Sequence, residues 1–229
     1  MDGRARRLIE LSHEFTDGTV TYAGLPPPTI GVYLSRADSR AHYAPGTEFH
    51  IGQISLVGNT GTYVDSPAHR YAAGADLAGL PLDRLVDLDG VVVRAAGAVD
   101  RDAFAGVDVA GRAVLIHTGW DRHWGTTAYG PGGHPYLAAE AATWLVEGGA
   151  ALVGIDSVNI DDTSTGERPA HSTLLAAGIP IVEHLRGLDE LPPDGFQFHA
   201  APPRIAGLVS FPVRAYAVLT PASSPRARM

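Results

Sequence analysis

The chain reads as an α/β protein, a mixed, partly antiparallel twisted sheet with a few helices packed around it. Three observations predict this. Short apolar, β-branched runs bounded by Gly or Asp recur along the sequence, one stretch carries the helical period, and in two places a helix feeds directly into a strand. With 229 residues, 45% of them hydrophobic and 18% charged, the chain can bury a full core. It is expected to form a single domain over 1–220, with PASSPRARM (221–229) as a flexible tail.

The strand candidates, in order, are IGQISLVG (51–58), GVVVRAAG (90–97), RAVLIHTG (112–119), ALVGID (151–156), IPIVE (179–183) and PVRAYAVLT (212–220). In the last, Val213, Ala215, Ala217 and Leu219 alternate with Arg214 and Tyr216, as suits a sheet with one wetter face. Between 136 and 148, Leu137, Ala141, Trp144, Leu145 and Gly148 follow the helical period and stop at a Gly pair, which predicts a helix running into ALVGID. A shorter helix is expected from near His171 to Gly178, with IPIVE after it. The clusters GLPPP, GPGGHP, LPPDG and APPR read as turns.

Composition narrows the chemistry. Seventeen basic against twenty-five acidic residues give a net charge of −8, and no basic run follows a phosphate backbone, so nucleic acid is not an expected partner. No stretch approaches the roughly 20 apolar residues that span a bilayer. The opening MDGRARRLIELSHEF lacks the apolar core of a secretion signal, and a cytoplasmic protein is expected. Cysteine is absent and every basic residue is Arg, which removes thiolate nucleophiles, Cys-type zinc sites and Schiff-base lysines together. No G-x-S-x-G elbow occurs.

Polar residues at strand ends are the natural places to look for a site. They are Asp65 to His69, Asp156 with Ser157, His171, and Glu183. A bend at Pro67 brings Asp65 and His69 toward one centre. His171 is read at the head of a helix, where the dipole favours a neutral imidazole free to bind a cation. Glu183 closes an apolar strand and needs a partner. Trp120 and Trp124, in HTGWDRHW, are candidate walls of a substrate pocket, with loop packing as the competing reading.

These residues carry a family resemblance over nearly the whole chain. LIELSHEFTDGTVTYAGLPPP (8–28), NTGTYVDSPAH (59–69), VLIHTGWDRHW (114–124), AATWL…ALVGIDS (141–157), HSTLL (171–175), IPIVEHL (179–185) and PVRAYAVL (212–219) together resemble the cyclase family that includes bacterial kynurenine formamidase, isatin hydrolase and polyketide cyclases. The resemblance implies that family's swivelling β/β/α fold and a homodimer or larger assembly. In the family hallmark H-x-G-T-H-x-D-x-P-x-H, the first two His and the Asp bind metal, a later His and Glu complete the site, and the last His is an acid or base. Carried over, Asp65, His171 and Glu183 are the surviving ligands and His69 the acid/base, while Asn59 and Tyr63 stand where imidazoles are expected.

Asn is a poor zinc ligand and a tyrosine hydroxyl is mostly protonated at neutral pH, so one metal position of the family's pair is expected to be lost. The other can hold one Zn or Mn ion, and a metal-free site is the alternative. Three readings follow. In the first, a mononuclear site hydrolyses a small amide or lactone, arylformamidase-like, with His69 as acid/base. In the second, Tyr63, His69 and Asp65 run a metal-independent cyclisation or dehydration on a polyketide-like substrate, with Asn59 orienting a carbonyl. The third is a non-catalytic binding protein. Asn59, Trp120, Trp124 and Ser157 are the expected substrate contacts.

Overall fold

A nine-stranded sheet runs through the computed structural model, which describes residues 6–130 and 132–219. The tail expected over 221–229 lies outside the described residues. The chain begins with β1 (Arg7–Glu10), β2 (Thr29–Leu34), a helical turn α1 (Arg36–Ser39), β3 (Ile51–Ser55) and β4 (Tyr63–Asp65). It continues through β5 (Leu88–Arg94), β6 (Ala98–Val99), β7 (Ala113–His117), β8 (Tyr136–Leu137), α2 (Ala139–Glu147) and β9 (Leu152–Ile155). The last elements are α3 (Pro169–Ala176), β10 (Ile181–Glu183), β11 (Asp194–His199), β12 (Ser210–Pro212) and β13 (Tyr216–Leu219).

The sheet order is β1-β13-β11-β5-β7-β9-β10-β4-β12. Its centre, β5 to β10, is parallel and both flanks are antiparallel, so the sheet is mixed. The parallel strands are apolar on both faces, as sheets covered on both sides must be. Val114, Leu115, Ile116, Leu152, Val153 and Ile155 are all buried. One core gathers Leu11, Leu115, Leu185, Phe196 and Phe198; the other gathers Val114, Ile116, Ile155 and the inner faces of α2 and α3. In α2 those inner residues are Ala141, Ala142 and Leu145, on the face the helical period predicts.

Two expected strands behave differently from their reading. The run 212–220 is not one strand: β12 pairs with β4 at one end of the sheet, and β13 pairs with β1 and β11 at the other. The three residues between them span at most about 10 Å, so the sheet curls until its ends meet. The break is fixed by hydrogen bonds: Val213 N donates to Thr62 O, and Ala215 N to Ser12 Oγ. The run 51–58 supplies β3, which among the described residues pairs only with β2, in a separate two-stranded ribbon exposed at every residue but the half-buried Leu34.

The helix expected over 136–148 begins three residues later because Tyr136 and Leu137 pair with β6. It ends at the Gly148–Gly149 pair as read, Gly149 taking φ +75. No helix among the described residues is long and apolar enough to cross a membrane.

Candidate active site

The register of three short strands builds the site. β4 lies between β10 and β12, with Tyr63 opposite Glu183 and Asp65 opposite Ser210. Tyr63 and Asp65 are two residues apart and so share a face of the strand. Directly opposed side chains on one face meet, and the Tyr63 hydroxyl donates to Glu183 Oε2 while the Ser210 hydroxyl donates to Asp65 Oδ1. The turn before β4 requires Gly61: its φ is +65, and a Cβ there would lie 2.7 Å from the Phe15 ring.

After β4, Pro67 starts a single 3-10 turn that folds His69 back, and its Nδ1 reaches 3.0 Å from Ser210 Oγ and 3.7 Å from Asp65 Oδ1. The bend read at Pro67 thus brings Asp65 and His69 together.

His171 arrives from α3. It is the third residue of that helix, not its head, and Pro169 occupies the first turn, where a missing N–H costs nothing. Asp161 bonds the helix start and the ring at once, accepting from Ala170 N at 2.6 Å, from His171 N at 3.0 Å and contacting His171 Nδ1 at 2.6 Å. This leaves Nε2 facing inward, 3.6 Å from Asp65 Oδ2 and 3.7 Å from Glu183 Oε1. With no cation present the ring is not the neutral imidazole expected, whereas a cation at Nε2 requires that nitrogen without its proton. Burial disfavours its charge, but the Asp161 bond and the adjacent Asp65 and Glu183 carboxylates outweigh burial and push the pKa up to about 10. Three acids beside one ring overcome one helix dipole.

Glu183 is fully buried, and burial lifts its carboxyl to about 7, with the charge of Asp65 acting in the same direction against His171 and the Tyr63 and Ile160 bonds. Ile160 N donates to its Oε1 at 2.6 Å. Burial, then the charges of Glu183 and Asp65, hold the Tyr63 phenol well above its ordinary value, so it stays a proton donor. Burial also works against ionised Asp65, but His171, His69 and Ser210 together bring its pKa below the usual value.

A cavity of about 710 Å³ opens over this arrangement, its lining including Tyr63, His69, His171, Glu183, Asn59, Tyr22 and Leu25. Asn59 Nδ2 lies 3.5 Å from Asp65 Oδ1. Asp65 sits behind the wall, and its Oδ2 is buried without a hydrogen-bond partner among the described residues. A donorless buried carboxylate oxygen beside an inward imidazole nitrogen is an arrangement that a bound cation satisfies. Asp65, His69 and His171 each offer a ligand atom, all within 4.8 Å of one another. His69, expected as acid/base, belongs to this group, whereas Glu183, expected as third ligand, has its oxygens engaged by Tyr63 and Ile160.

The remaining expected contacts lie elsewhere. Trp124 stacks on His13 at 4.1 Å, Trp120 lies against His123 at 4.9 Å, and neither lines the cavity. Ser157 is buried with its Oγ 3.1 Å from His134 Nδ1. Asp156 ties down the end of β7, accepting from Thr118 N and Gly119 N.

Three structural residues of the site escape sequence reasoning: Asp161, Ser210 and His184. Asp161 and Ser210 act through partners 10 and 145 residues away, and no local pattern announces either. His184 directly follows Glu183 in a left-handed conformation at φ +57, held by Thr62 Oγ1 donating to its carbonyl at 2.6 Å. A non-Gly residue there is strained, which the surrounding bonds offset.

The fold and site define an α/β protein with a buried carboxylate–imidazole centre open to a small-molecule cavity. Residues 9–162 match the family described as "Putative cyclase", and the chain belongs to that family. It is 29% identical over 209 residues to a kynurenine formamidase of Geobacillus thermodenitrificans, covering 90% of this chain and 95% of that relative. Its fold is similar to that of an isatin hydrolase bound to the product analogue thioisatinate (TM-score 0.78, 20% identity, 93% of this chain and 92% of that one). Isatin hydrolase A of Ralstonia solanacearum is comparable (TM-score 0.78, 23% identity, 94% and 92%).

Proposed function

We propose that the chain is a hydrolase of a small amide or lactone carried on an aromatic frame, similar in chemistry to its kynurenine formamidase relative. One divalent cation, Zn²⁺ or Mn²⁺, would be held by Asp65 and His171, with His69 or Glu183 as the third donor. The observation that carries this reading is the donorless Asp65 Oδ2 facing His171 Nε2 beside the cavity. When bound, such an ion supplies a Lewis acid for the carbonyl and lowers the pKa of water at neutral pH.

This chain's own residues do the rest. Asp161 holds His171 at Nδ1 and so fixes which nitrogen faces inward. Tyr63, kept protonated, offers a donor for a developing oxyanion once its proton is drawn from Glu183. Asn59, at the cavity wall, orients the substrate carbonyl. Where Glu183 is the third donor, His69, a third exposed at the side chain and steadied at Nδ1 by Ser210, is the group able to pass a proton to the leaving nitrogen or oxygen. Tyr22 and Leu25 add apolar surface to the cavity lining against which a ring can pack.

A second reading, metal-independent cyclisation or dehydration of a polyketide-like substrate by Tyr63, His69 and Asp65, is favoured by the Tyr63–Glu183 bond, which supplies a proton donor where a ligand is expected. Assays of N-formylkynurenine and isatin with added Zn²⁺ or Mn²⁺ and with chelator separate the two. Metal-dependent ring opening or deformylation supports metal-assisted hydrolysis, chelator-insensitive turnover removes the cation from the reaction, and no turnover of either substrate favours the alternative. The proposal includes a cytoplasmic homodimer or larger homo-oligomer acting on a small molecule, without nucleic acid or membrane as partner.

A further inference from the structure

Two guanidinium groups line the cavity, Arg70 and Arg168, in a chain of net charge −8. They are not equivalent. Arg168 Nη1 donates to the carbonyls of Asp162 at 3.2 Å, Thr165 at 2.8 Å and Glu167 at 2.6 Å, and so is spent on closing its own loop. Arg70 is exposed, and its Nε donates to Ser172 Oγ at 3.3 Å while its Cζ lies 5.4 Å from the centre of the Tyr71 ring. Tyr71 is itself tied to Ser172 O at 2.9 Å. Among the described residues Arg70 forms no ion pair, and its two terminal nitrogens have no hydrogen-bond partner.

Its position gives this free fork a meaning. Arg70 follows His69 and Ser172 follows His171, so the guanidinium is braced on the two segments that carry the site's imidazoles. Deeper in the site stand Asp65, Asp161 and Glu183, which repel an anion. Away from the proposed cation position, a negatively charged group on a substrate finds its free partner at Arg70, where a planar fork matches a carboxylate through two parallel N–H···O bonds.

We propose that Arg70 reads a carboxylate on the substrate, so that this site takes compact aromatic acyl compounds bearing a free carboxylate near the bond to be cleaved. The inference rests on the hydrolase reading and adds a specificity determinant to it.

The test compares wild type, Arg70→Met and Arg70→Lys, as the full chain supplied with Zn²⁺ or Mn²⁺, on N-formylanthranilate and on formanilide, which lacks only the carboxylate. Wild type is expected to prefer N-formylanthranilate. Arg70→Met should shrink the kcat/KM ratio between the two substrates by about 10- to 100-fold, the range of a charge-assisted pair, with the loss falling on KM. Arg70→Lys, which keeps the charge without the fork, should fall between. An unchanged ratio in Arg70→Met overturns the proposal. Calorimetric binding of anthranilate gives a readout independent of turnover: it should weaken by a similar factor in Arg70→Met. If neither formamide is hydrolysed yet anthranilate binding depends on Arg70, the hydrolase reading fails and the carboxylate site stands. Anthranilate that does not bind, or binds regardless of Arg70, removes it.

Discussion

Asp161 does more for the site than any residue the sequence singles out, because one carboxylate both caps α3 and orients His171. Replacing it by Ala leaves two helix N–H groups and a charged imidazole without their partner. Asp161→Ala should cost about 3 kcal/mol, as expected for breaking a buried ion pair, read as a lower denaturant midpoint at unchanged m-value. Tyr63→Phe removes one donor from buried Glu183 and should cost about 1–2 kcal/mol in the same measurement. Equal stability in either variant contradicts the bonding described. Asp65, His69 and Glu183 were legible because each ends an apolar run or a turn, and His171 because it was read at the head of a short helix. Ser210 was not, since a serine gains its role only from the strand register that sets it opposite Asp65.

Acid sensitivity is also a matter of single residues. Burial holds the His184 imidazole down to about 3, and burial with Arg186 nearby holds His13 down to about 4, against an ordinary value of 6.5. The unfolded chain takes up both protons below 6.5 and the fold does not, so their contribution is complete above 6.5 and is lost as pH falls toward 4 and 3. Glu183, lifted to about 7 from 4.5, works in the opposite direction between those values. Two imidazoles against one carboxyl leave a net loss for these three groups. In metal-free buffer the unfolding free energy should therefore fall between pH 6.5 and 4.5, at up to about 1.4 kcal/mol per pH unit for each net proton. A flat or rising stability over that range would contradict the assignment.

Among elements, the most consequential for assembly is the β2–β3 ribbon. A lone two-stranded ribbon is marginal in water, yet this one exposes Ile30, Val32, Tyr33, Ile51 and Ile54. Its strands carry no charged residue to discourage pairing. The homo-oligomer proposed here gives that surface a cover. Val32→Arg combined with Ile54→Arg should lower the mass found by light scattering to that of a monomer, and a wild type that is already monomeric at micromolar concentration would remove the proposal. The central strands and α2 were readable because apolar runs and helical period are local signals. The ribbon was misplaced because IGQIS looks equally apolar whether a sheet or another chain covers it. β11 was missed because DGFQFH, with Phe196 and Phe198 buried and Gln197 between them, begins inside the turn signal LPPDG.

Across the whole molecule, the site exists because strands far apart in the sequence lie side by side in the sheet. β4 brings Tyr63 and Asp65, the distant β10 and β12 bring Glu183 and Ser210, and α3 adds His171 from above the parallel centre. Spacing in the chain announces the residue types, but only the pairing of β4 with β10 and β12 brings them within hydrogen-bonding reach. The central claim is that this convergence holds one divalent cation and hydrolyses a carbonyl substrate. Its most direct test is turnover of an N-formyl aryl amide by metal-stripped protein as Zn²⁺ or Mn²⁺ is added back. The account predicts turnover that rises to a plateau at about one ion per chain and is absent in His171→Ala. Full turnover in chelator, or none at any metal level, would contradict it.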